Sequence, residues 1–494
     1  MEFNYLTAII LLPALGAVVV AFVPGISERW IRRISAVLTL ASFVLAIIIF
    51  AGYDRALGGI QFEEKASWIQ AISANYHLGV DGLSLPLVAL TSFLGFMVVL
   101  ISWKVHVRVR EYFAWLLLLE ASILGVFCSL DLLLFFIFWE IEVIPMYFLI
   151  SIWGTGRKEY SSIKYVLYTL FGSAFMLAGI LSLYFTTGSL SMVDISEGGL
   201  GMVQSIMPAA SIFWLLIIAF AVKLPVFPLH TWLPDAHTDA PTAGSVMLAG
   251  ALIKMGGYGM IRVCVSIFPD VARNFAPMLL TLAVISILYG AALTLRQTDL
   301  KRMIAYSSVS HMGYVLLGIF ALNEVSLTGA GLQMLSHGLL TGLLFAMAGL
   351  MIHNVEERDL RKLGGLARQM PVIAIVFSIA GLGSLGLPLT SGFAAEFITF
   401  IGSFSSTVVG GAEVFTILAV LGVVLAAGYI LWMLQRTFYG PVLEQYNGVK
   451  DADNMEKVYM FAFVVLIMII GIYPAIMTDI IRLGISPIVG LIGG

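Results

Sequence analysis

The stretch that decides the fold is "AVKLPVFPLHTWLP", residues 221–234, which has the composition of a membrane helix interrupted near its middle. Pro225 removes one helix hydrogen bond and frees a carbonyl one turn back. Lys223 precedes this break by two residues in an otherwise apolar segment. A proline-interrupted span of this kind is a sequence pointer to a transport site.

A matching interruption occurs at "GSLGLPLTSGFAAEF", residues 383–397, where Pro388 again breaks an apolar run. The two breaks are offset by five predicted spans, from the seventh to the twelfth. Because five is odd, two copies of a five-helix unit would have opposite topology in the membrane. The pattern predicts two inverted five-helix repeats with discontinuous seventh and twelfth helices. The alternative is that proline is simply frequent in membrane helices.

The composition predicts an all-α polytopic membrane protein, since 60% of the 494 residues are hydrophobic and 11% are charged. Soluble domains average about 25% charged residues. The net charge of −3, without a long basic run, does not support nucleic-acid binding. The first apolar run, residues 6–23, lacks the flanking signals of a cleaved signal peptide, so it is expected to be a retained span.

Apolar windows of about 20 residues predict fourteen spans, all helical, because lipid cannot satisfy the backbone of an open sheet or a bare loop. They divide the chain into 1–110 with three spans, 111–268 and 269–440 with five spans each, and 441–494 with the last. Loops after odd-numbered spans carry eighteen Lys and Arg residues, whereas loops after even-numbered spans carry three. The positive-inside rule therefore predicts that both termini lie outside a bacterial plasma membrane.

Ionisable residues inside the spans are the candidate functional residues. A charge at the bilayer centre costs about 2.5–3.5 kcal/mol, so most of these side chains are expected to face one another or a hydrated interior. They are Glu120, Glu140, Glu142, Lys223, Lys254, Arg262, His311, His337 and Glu396.

Two of these acids stand in "FFIFWEIEVIPMYFLI", residues 135–150. Glu140 and Glu142 are about 200° apart around a helix and cannot line one face. We expect Glu140 to approach Lys223 and to control its proton affinity through their separation, and Glu142 to point away from this axis. Glu120, on the fourth span, is a supporting candidate.

A second group of candidates extends from the eighth span to the twelfth. Lys254 lies near mid-span among glycines, which let helices or water approach. His311 and His337 occupy neighbouring spans, and imidazole both accepts and donates protons near neutral pH. A lone membrane histidine is often only a core residue, but two together favour a relay. Glu396 follows the second break and could end a proton path near the outside.

The turn "PLHTWLPDAHTDAP", residues 228–241, holds His230, Asp235 and His237. Its spacing permits a metal site, but helix capping and proton uptake are favoured. The two cysteines, Cys128 and Cys264, cannot supply the four thiolates of an iron–sulfur cluster. With no glycine-rich phosphate loop either, the chain is expected to bind no cofactor itself.

Four stretches resemble the antiporter-like subunits of proton-pumping NADH:quinone oxidoreductase, respiratory complex I, and among them subunit M. They are "FWEIEVIPMYFLI" (138–150), "VKLPVFPLHTWLPDAHTDAPTAGSVMLAGALIKMGGYG" (222–259), "TDLKRMIAYSSVSHMGY" (298–314) and "GLPLTSGFAAEF" (386–397). The resemblance covers nearly the entire chain. The length also fits subunit M, because the L-type subunit has a further lateral helix and this chain is expected to stop soon after the fourteenth span.

The resemblance implies a proton channel driven by redox chemistry in other subunits, which hold the NADH, FMN, iron–sulfur clusters and quinone. It implies neighbouring L- and N-type antiporter-like subunits and surrounding lipid as partners. The family's relay residues fall on six positions of this sequence, with the fifth-span glutamate at Glu140 and the twelfth-span acid at Glu396. The remaining four are Lys223, Lys254, His311 and His337.

Glu142 departs from the commonest family pattern, in which this position is apolar. The E-x-E sequence resembles the D-type member of the photosynthetic relatives, which leaves ferredoxin with plastoquinone as an alternative to NADH with ubiquinone or menaquinone. An Mrp-type Na⁺/H⁺ antiporter subunit shares much of the pattern and is a second alternative. An inert membrane scaffold is a third, but it would leave the costly polar axis unexplained.

Overall fold

All fourteen predicted spans are helical in the computed structural model, which describes residues 3–198 and 207–493. Twelve spans are continuous or nearly so. In chain order they are Tyr5–Phe22, Glu28–Gly52, Ser84–Ile101, Val109–Cys128, Leu132–Trp153, Lys158–Thr187, Thr242–Val265, Pro269–Leu295, Leu300–Phe320, Glu324–Val355, Ala412–Tyr439 and Asn454–Ile472.

The seventh and twelfth spans are broken, as the prolines predict. The seventh consists of Ala209–Lys223 and Trp232–Asp239, and the twelfth of Pro371–Ser384 and Ser391–Phe404. The expected division of the chain at residues 110, 268 and 440 stays a prediction. The inverted repeat itself stays a prediction.

Two further spans are irregular in ways that the sequence did not predict. The fifth span is divided at Glu142 into Leu132–Ile141 and Val143–Trp153. The eighth span is π-helical at Leu248–Leu252 and again at Met260–Val265, on both sides of a short α-helical segment that begins at Lys254. Single π turns inside α-helices occur frequently at functional sites.

Beyond the fourteen predicted spans, the described residues form a β-hairpin, a short α-helix and a C-terminal α-helix. The hairpin of β1 (Gln61–Ile69) and β2 (Ala74–Val80) precedes the third span, and the short helix, Met192–Gly198, follows the sixth. The expectation that the chain stops soon after the fourteenth span is wrong, because a further helix covers Ala475–Ile492 and is itself long and apolar enough to cross a membrane. Its Gly484 packs closely on Leu83 at the start of the third span, so it lies against the ends of other spans.

The loops gather on two opposite faces. On one, here called the basic face, Lys104 pairs with Glu456 at 2.6 Å and Arg358 with Asp299 at 2.8 Å. On the other, here called the terminal face, Glu64 of the hairpin accepts a hydrogen bond from Leu6 N at 2.7 Å. The alternation of loops is therefore confirmed, whereas the side of the membrane that each face meets stays a prediction.

The most enclosed helices are the eighth, tenth and eleventh spans, in which 94%, 94% and 89% of the apolar window is buried, against 28% in the second span. These three spans carry Lys254, His311 and His337. The protein thus places these three polar residues on its most enclosed candidate spans.

Candidate functional site

A buried ion pair joins the fifth and seventh spans. The Lys223 ammonium contacts Oε1 of Glu142, and the two side chains are 1% and 0% exposed. The hydroxyl of Tyr165 donates a hydrogen bond of 2.7 Å to the other carboxylate oxygen. The ammonium also lies 5.3 Å from the centre of the Trp139 ring, within the range of a cation–π interaction. The pair therefore has partners on several sides.

The expected pairing of Lys223 with Glu140 is wrong, although the two acids do lie on different faces. The fifth span presents Trp139, Glu142 and Met146 to the interior, so the helix rotation carries Glu140 outward. There Glu140 is partly buried and lines an apolar groove with Ile137 and Ile144. Its Oε1 has no hydrogen-bond partner in the described chain.

A second polar group runs from the eighth span to the twelfth. The Lys254 ammonium lies 2.7 Å from Nδ1 of His337. The His337 and His311 ring centres are 5.5 Å apart, and Nε2 of His311 is 3.7 Å from Oε1 of Glu396. All four side chains are buried. The structure thus brings together four of the six predicted relay residues in one line, which we call the axial line.

Local backbone irregularity positions this line. The Lys254 ammonium also contacts the carbonyl of Ala249, which lies in the first π-helical segment. His311 Nε2 lies 3.0 Å from the Ser384 carbonyl, which it can reach as a donor. In an unbroken helix that carbonyl would bond to residue 388, but Pro388 has no N–H to offer. The twelfth-span break therefore supplies the acceptor that orients His311.

Glycines allow the necessary close approaches. A Cβ at Gly338 would lie 2.6 Å from the carbonyl oxygen of Gly250, so the eighth and eleventh spans touch through their backbones. A Cβ at Gly256 would lie 2.6 Å from the amide nitrogen of Leu224. Leu224 follows Lys223 directly, so the break in the seventh span packs against the helix that carries Lys254. This contact gives the ion pair and the axial line a direct mechanical connection.

A small cavity of about 10 Å³ lies along the axial line and is bordered by His311, Gln333, His337, Ser384 and Glu396. That volume is about the lower limit for one water molecule. His337 Nε2, His311 Nδ1 and Gln333 Oε1 have no protein partner in the described chain. Buried polar atoms without protein partners are commonly satisfied by ordered water. One water here could bridge the two histidines.

The predicted turn residues fall in three different places. Asp235 pairs with Lys164 at 2.7 Å and with Arg302 at 3.3 Å, on the basic face. His230 stacks near Phe227. His237 is fully buried against the Phe345 ring at 4.6 Å, and neither of its ring nitrogens has a partner in the described chain. Within the described residues, no cluster of three or more His, Cys, Asp or Glu could hold a metal.

A cavity of about 260 Å³ on the basic face is lined by Lys104, Glu456, Thr242 and Ala346. It lies close to His237, because Ala346 adjoins Phe345, on which that imidazole stacks. Hydrogen bonds to Asp453, and then to Glu456, raise the pKa of Lys104. The cavity therefore combines exposed titratable groups with a short way into the interior.

The remaining predicted residues have supporting positions. Glu120 is buried against Gly95 of the third span, and its Oε1 is unpartnered in the described chain. Pro225 lies in the seventh-span break, where Val226 N instead bonds to the Ala221 carbonyl at 2.9 Å. The sequence does not single out Tyr165, Trp139 and Gln333 as site residues, because these residue types are ordinary in apolar helices.

Comparisons with known proteins agree with this arrangement. Residues 129–425 match the family model described as NADH:quinone oxidoreductase/Mrp antiporter, TM. The chain is 43% identical over 482 residues to a NAD(P)H-quinone oxidoreductase chain 4 of Synechococcus elongatus, covering 97% of this chain and 90% of the relative. It is 38% identical over 506 residues to NADH-quinone oxidoreductase subunit M of Rhodobacter capsulatus, covering 98% and 96%.

The fold also matches solved structures. A chain of respiratory complex I from Thermus thermophilus superposes with a TM-score of 0.88 at 28% identity, covering 99% of this chain and 100% of that one. A chain of the Mrp complex from Dietzia shares the fold, with a TM-score of 0.87 at 20% identity. The chain therefore belongs to the complex I antiporter-like subunit family, in the branch of subunit M and its NAD(P)H-quinone oxidoreductase chain 4 relatives, as a multi-pass, proton-pumping membrane subunit of such a complex.

Proposed function

We propose that this subunit moves protons along the axial line under the control of the Glu142–Lys223 pair. The observation that carries the proposal is the unbroken succession of buried titratable groups from Lys254 through His337 and His311 to Glu396. Four such groups on lipid-facing helices would each cost free energy. Three of them, His337, His311 and Glu396, border one water-sized cavity, which supports a role in proton transfer.

A proton enters from the basic face, which the excess of Lys and Arg places in the cytoplasm. The basic-face cavity and His237 form the uptake path to Lys254. From Lys254 the proton passes to His337, through the bridging water to His311, and to Glu396. It then leaves toward the terminal face. Each imidazole can accept on one nitrogen while it donates from the other.

The ion pair acts as the switch. While Glu142 and Lys223 are in contact, their charges largely cancel at a distance. Separating them leaves a cationic ammonium near the eighth span, and a nearby cation disfavours a second cation on Lys254. The Gly256–Leu224 contact lies at the same break, so a movement of the break would reach the eighth span. The signal for separation comes from redox chemistry in other subunits, which hold the NADH, FMN, iron–sulfur clusters and quinone.

The assembly that we propose places L- and N-type antiporter-like subunits beside this chain in a bacterial plasma membrane, with both termini outside.

The identity to the chain 4 relative is higher than to subunit M, 43% against 38%. This favours keeping a second candidate, the photosynthetic branch, for which the membrane is a thylakoid and the donor is ferredoxin. Supplying NADH or reduced ferredoxin to the purified complex and following quinone reduction distinguishes the two.

The experiment that tests the proposal is Lys254→Met in the assembled complex. Pumped protons per electron are measured in sealed vesicles, with quinone reduction followed in parallel. We expect most of the pumping to be lost while assembly persists. Arg482→Gln is the matched control. It removes a cation from an ion pair outside the axial line, in which the exposed Arg482 lies 2.9 Å from Glu324. Unchanged pumping in Lys254→Met would refute the proposal.

Sodium tests the remaining alternative. If the chain were an Mrp-type antiporter subunit, imposed sodium gradients would change the internal pH of vesicles without any electron donor. We expect no such change. A sodium-dependent change abolished by Lys254→Met would assign the same residues to cation exchange instead.

A further inference from the structure

A cavity of about 470 Å³ opens on the terminal face and has no role in the path described so far. Its charged lining residues are Glu63 of the hairpin, Asp81 before the third span, Glu197 and Arg262. Three acids against one base make it net negative, which suits the collection or release of protons. The helix Ala475–Ile492 supplies an apolar wall through Pro487 and Ile488.

One buried ion pair stands where this cavity meets the eighth span. A terminal nitrogen of Arg262 contacts Oδ2 of Asp81, and the two side chains are 12% and 4% exposed. The other oxygen, Oδ1, accepts backbone hydrogen bonds from Leu83 at 3.1 Å and Ser84 at 2.9 Å. The two carboxylate oxygens of Asp81 therefore have different roles. Oδ1 accepts backbone hydrogen bonds at the start of the third span, and Oδ2 contacts Arg262.

Arg262 is on the same span as Lys254. The polar residues Lys254, Tyr258 and Arg262 recur every four positions, which places successive members on one side of a helix. The Arg262 guanidinium lies 5.8 Å from the centre of the Tyr258 ring. The Tyr258 hydroxyl and Arg262 Nε are buried without a hydrogen-bond partner in the described chain. Lys254, Tyr258 and Arg262 thus form a row of polar side chains, here called the seam, that leads toward the cavity. Some hydrogen-bonding atoms of the seam have no partner in the described chain.

The backbone of the seam contains irregular helical turns. The segment from Lys254 to Gly259 is α-helical, but it lies between two π-helical segments, and Arg262 belongs to the second. Converting a π turn to an α turn moves the neighbouring side chains around the helix axis. In the structure the Lys254 ammonium is turned toward His337, away from this route.

We propose that the Asp81–Arg262 pair is a closed gate, and that opening it connects Lys254 through Tyr258 to the terminal-face cavity as a second outlet for protons. The inference rests on the proposed function, since it takes Lys254 as the proton carrier. The competing role for the pair is a structural tie between the third and eighth spans.

The test uses Asp81→Asn, because asparagine keeps a helix-capping oxygen and loses the charge that holds Arg262. Passive proton entry is measured in vesicles containing the assembled complex, with a potassium diffusion potential and no electron donor. We expect about a tenfold rise in flux, which corresponds to roughly 1.4 kcal/mol in the opening equilibrium. Adding Lys254→Met to Asp81→Asn should return the flux to the basal level.

Asp131→Asn is the matched control. Asp131 also caps a span at the terminal face, accepting from Leu133 N at 2.9 Å, but no ion pair in the described chain includes it. Flux in Asp81→Asn equal to that in Asp131→Asn would overturn the gate, as would a leak that persists after Lys254→Met.

A second variant distinguishes an open gate from a folding defect. Arg262→Lys keeps the charge with a shorter, less rigid donor, and we expect a smaller leak that also depends on Lys254. If neither variant assembles while Asp131→Asn does, the pair is a structural tie and the gate is refuted. Pumping in Lys254→Met alone reports on the proposed function separately.

Discussion

The two buried polar groups of this protein differ in how well their atoms are satisfied. At the Glu142–Lys223 pair, both carboxylate oxygens have partners and aromatic rings enclose the ammonium. Along the axial line, His337, His311 and Gln333 keep polar atoms without protein partners beside a water-sized cavity. A fully hydrogen-bonded ion pair is suited to hold a fixed charge arrangement, whereas buried polar atoms without protein partners are suited to exchange protons with water. This difference is the reason that we propose the pair as the switch and the axial line as the conducting group.

The largest effect is expected when the two acids of the fifth span are neutralised separately. Glu142→Gln leaves a buried lysine without its counter-charge, and breaking a buried pair costs about 3–5 kcal/mol. We expect pumped protons per electron to fall to a small fraction of the normal value. Glu140→Gln, its matched control two residues away, should retain most of the pumping. Equal losses in both variants would remove the distinction between the two faces.

His337→Gln tests the conducting group at its centre. Glutamine keeps hydrogen-bonding atoms but cannot carry a proton as imidazole does. A positioned proton-transfer group typically contributes about 10²–10⁴-fold to a rate, so pumping should fall strongly while quinone reduction continues. Stopped-flow recording of vesicle acidification measures the rate. An unaltered rate would mean that water alone connects Lys254 to His311.

Pro388→Ala asks whether the broken helix orients the relay. Alanine restores the N–H that could bond to the Ser384 carbonyl and so competes with His311 for this acceptor. We expect slower pumping by a modest factor, on the order of the 0.5–1.5 kcal/mol of one hydrogen bond. Leu387→Ala is the neighbouring control. Slowing in the control alone would show that the break acts through packing.

Tyr165→Phe should give a smaller effect than Glu142→Gln. It removes the 2.7 Å hydrogen bond to Glu142 and leaves the ion pair itself. A hydrogen bond to a charged group is worth about 1.5–3 kcal/mol, part of which a water can replace. The coupling ratio should fall only partly, below normal but well above that of Glu142→Gln. A complete loss would place the tyrosine in the proton path.

Sequence patterns predicted most of the fold because the bilayer imposes strong rules. Length and hydropathy located fourteen helical spans, and Pro225 and Pro388 located both breaks. The Ala475–Ile492 helix was missed because its apolar composition resembles the end of the preceding span. The π-helical segments around Lys254 leave no composition signal, since they depend on tertiary contacts of the glycines.

The sequence predicted most residues of the candidate site, but not which acid pairs with Lys223. Lys254, His311, His337 and Glu396 stand out because charged or titratable residues are costly in lipid. The choice between Glu140 and Glu142 was decided wrongly, because both faces of the fifth span are apolar: Trp139 and Met146 flank one acid, and Ile137 and Ile144 the other. Periodicity cannot identify the inner stripe when both stripes are hydrophobic, and only packing against the seventh span resolves it.

The central claim is that Glu142, and not Glu140, is energetically coupled to Lys223. A double-mutant cycle on pumped protons per electron tests it directly, with Glu142→Gln and Lys223→Met made singly and together, and the same cycle repeated for Glu140→Gln. We predict that the Glu142 cycle is strongly non-additive, the double variant losing little more than either single one, and that the Glu140 cycle is additive. Strong coupling in the Glu140 cycle with additivity in the Glu142 cycle would contradict the account.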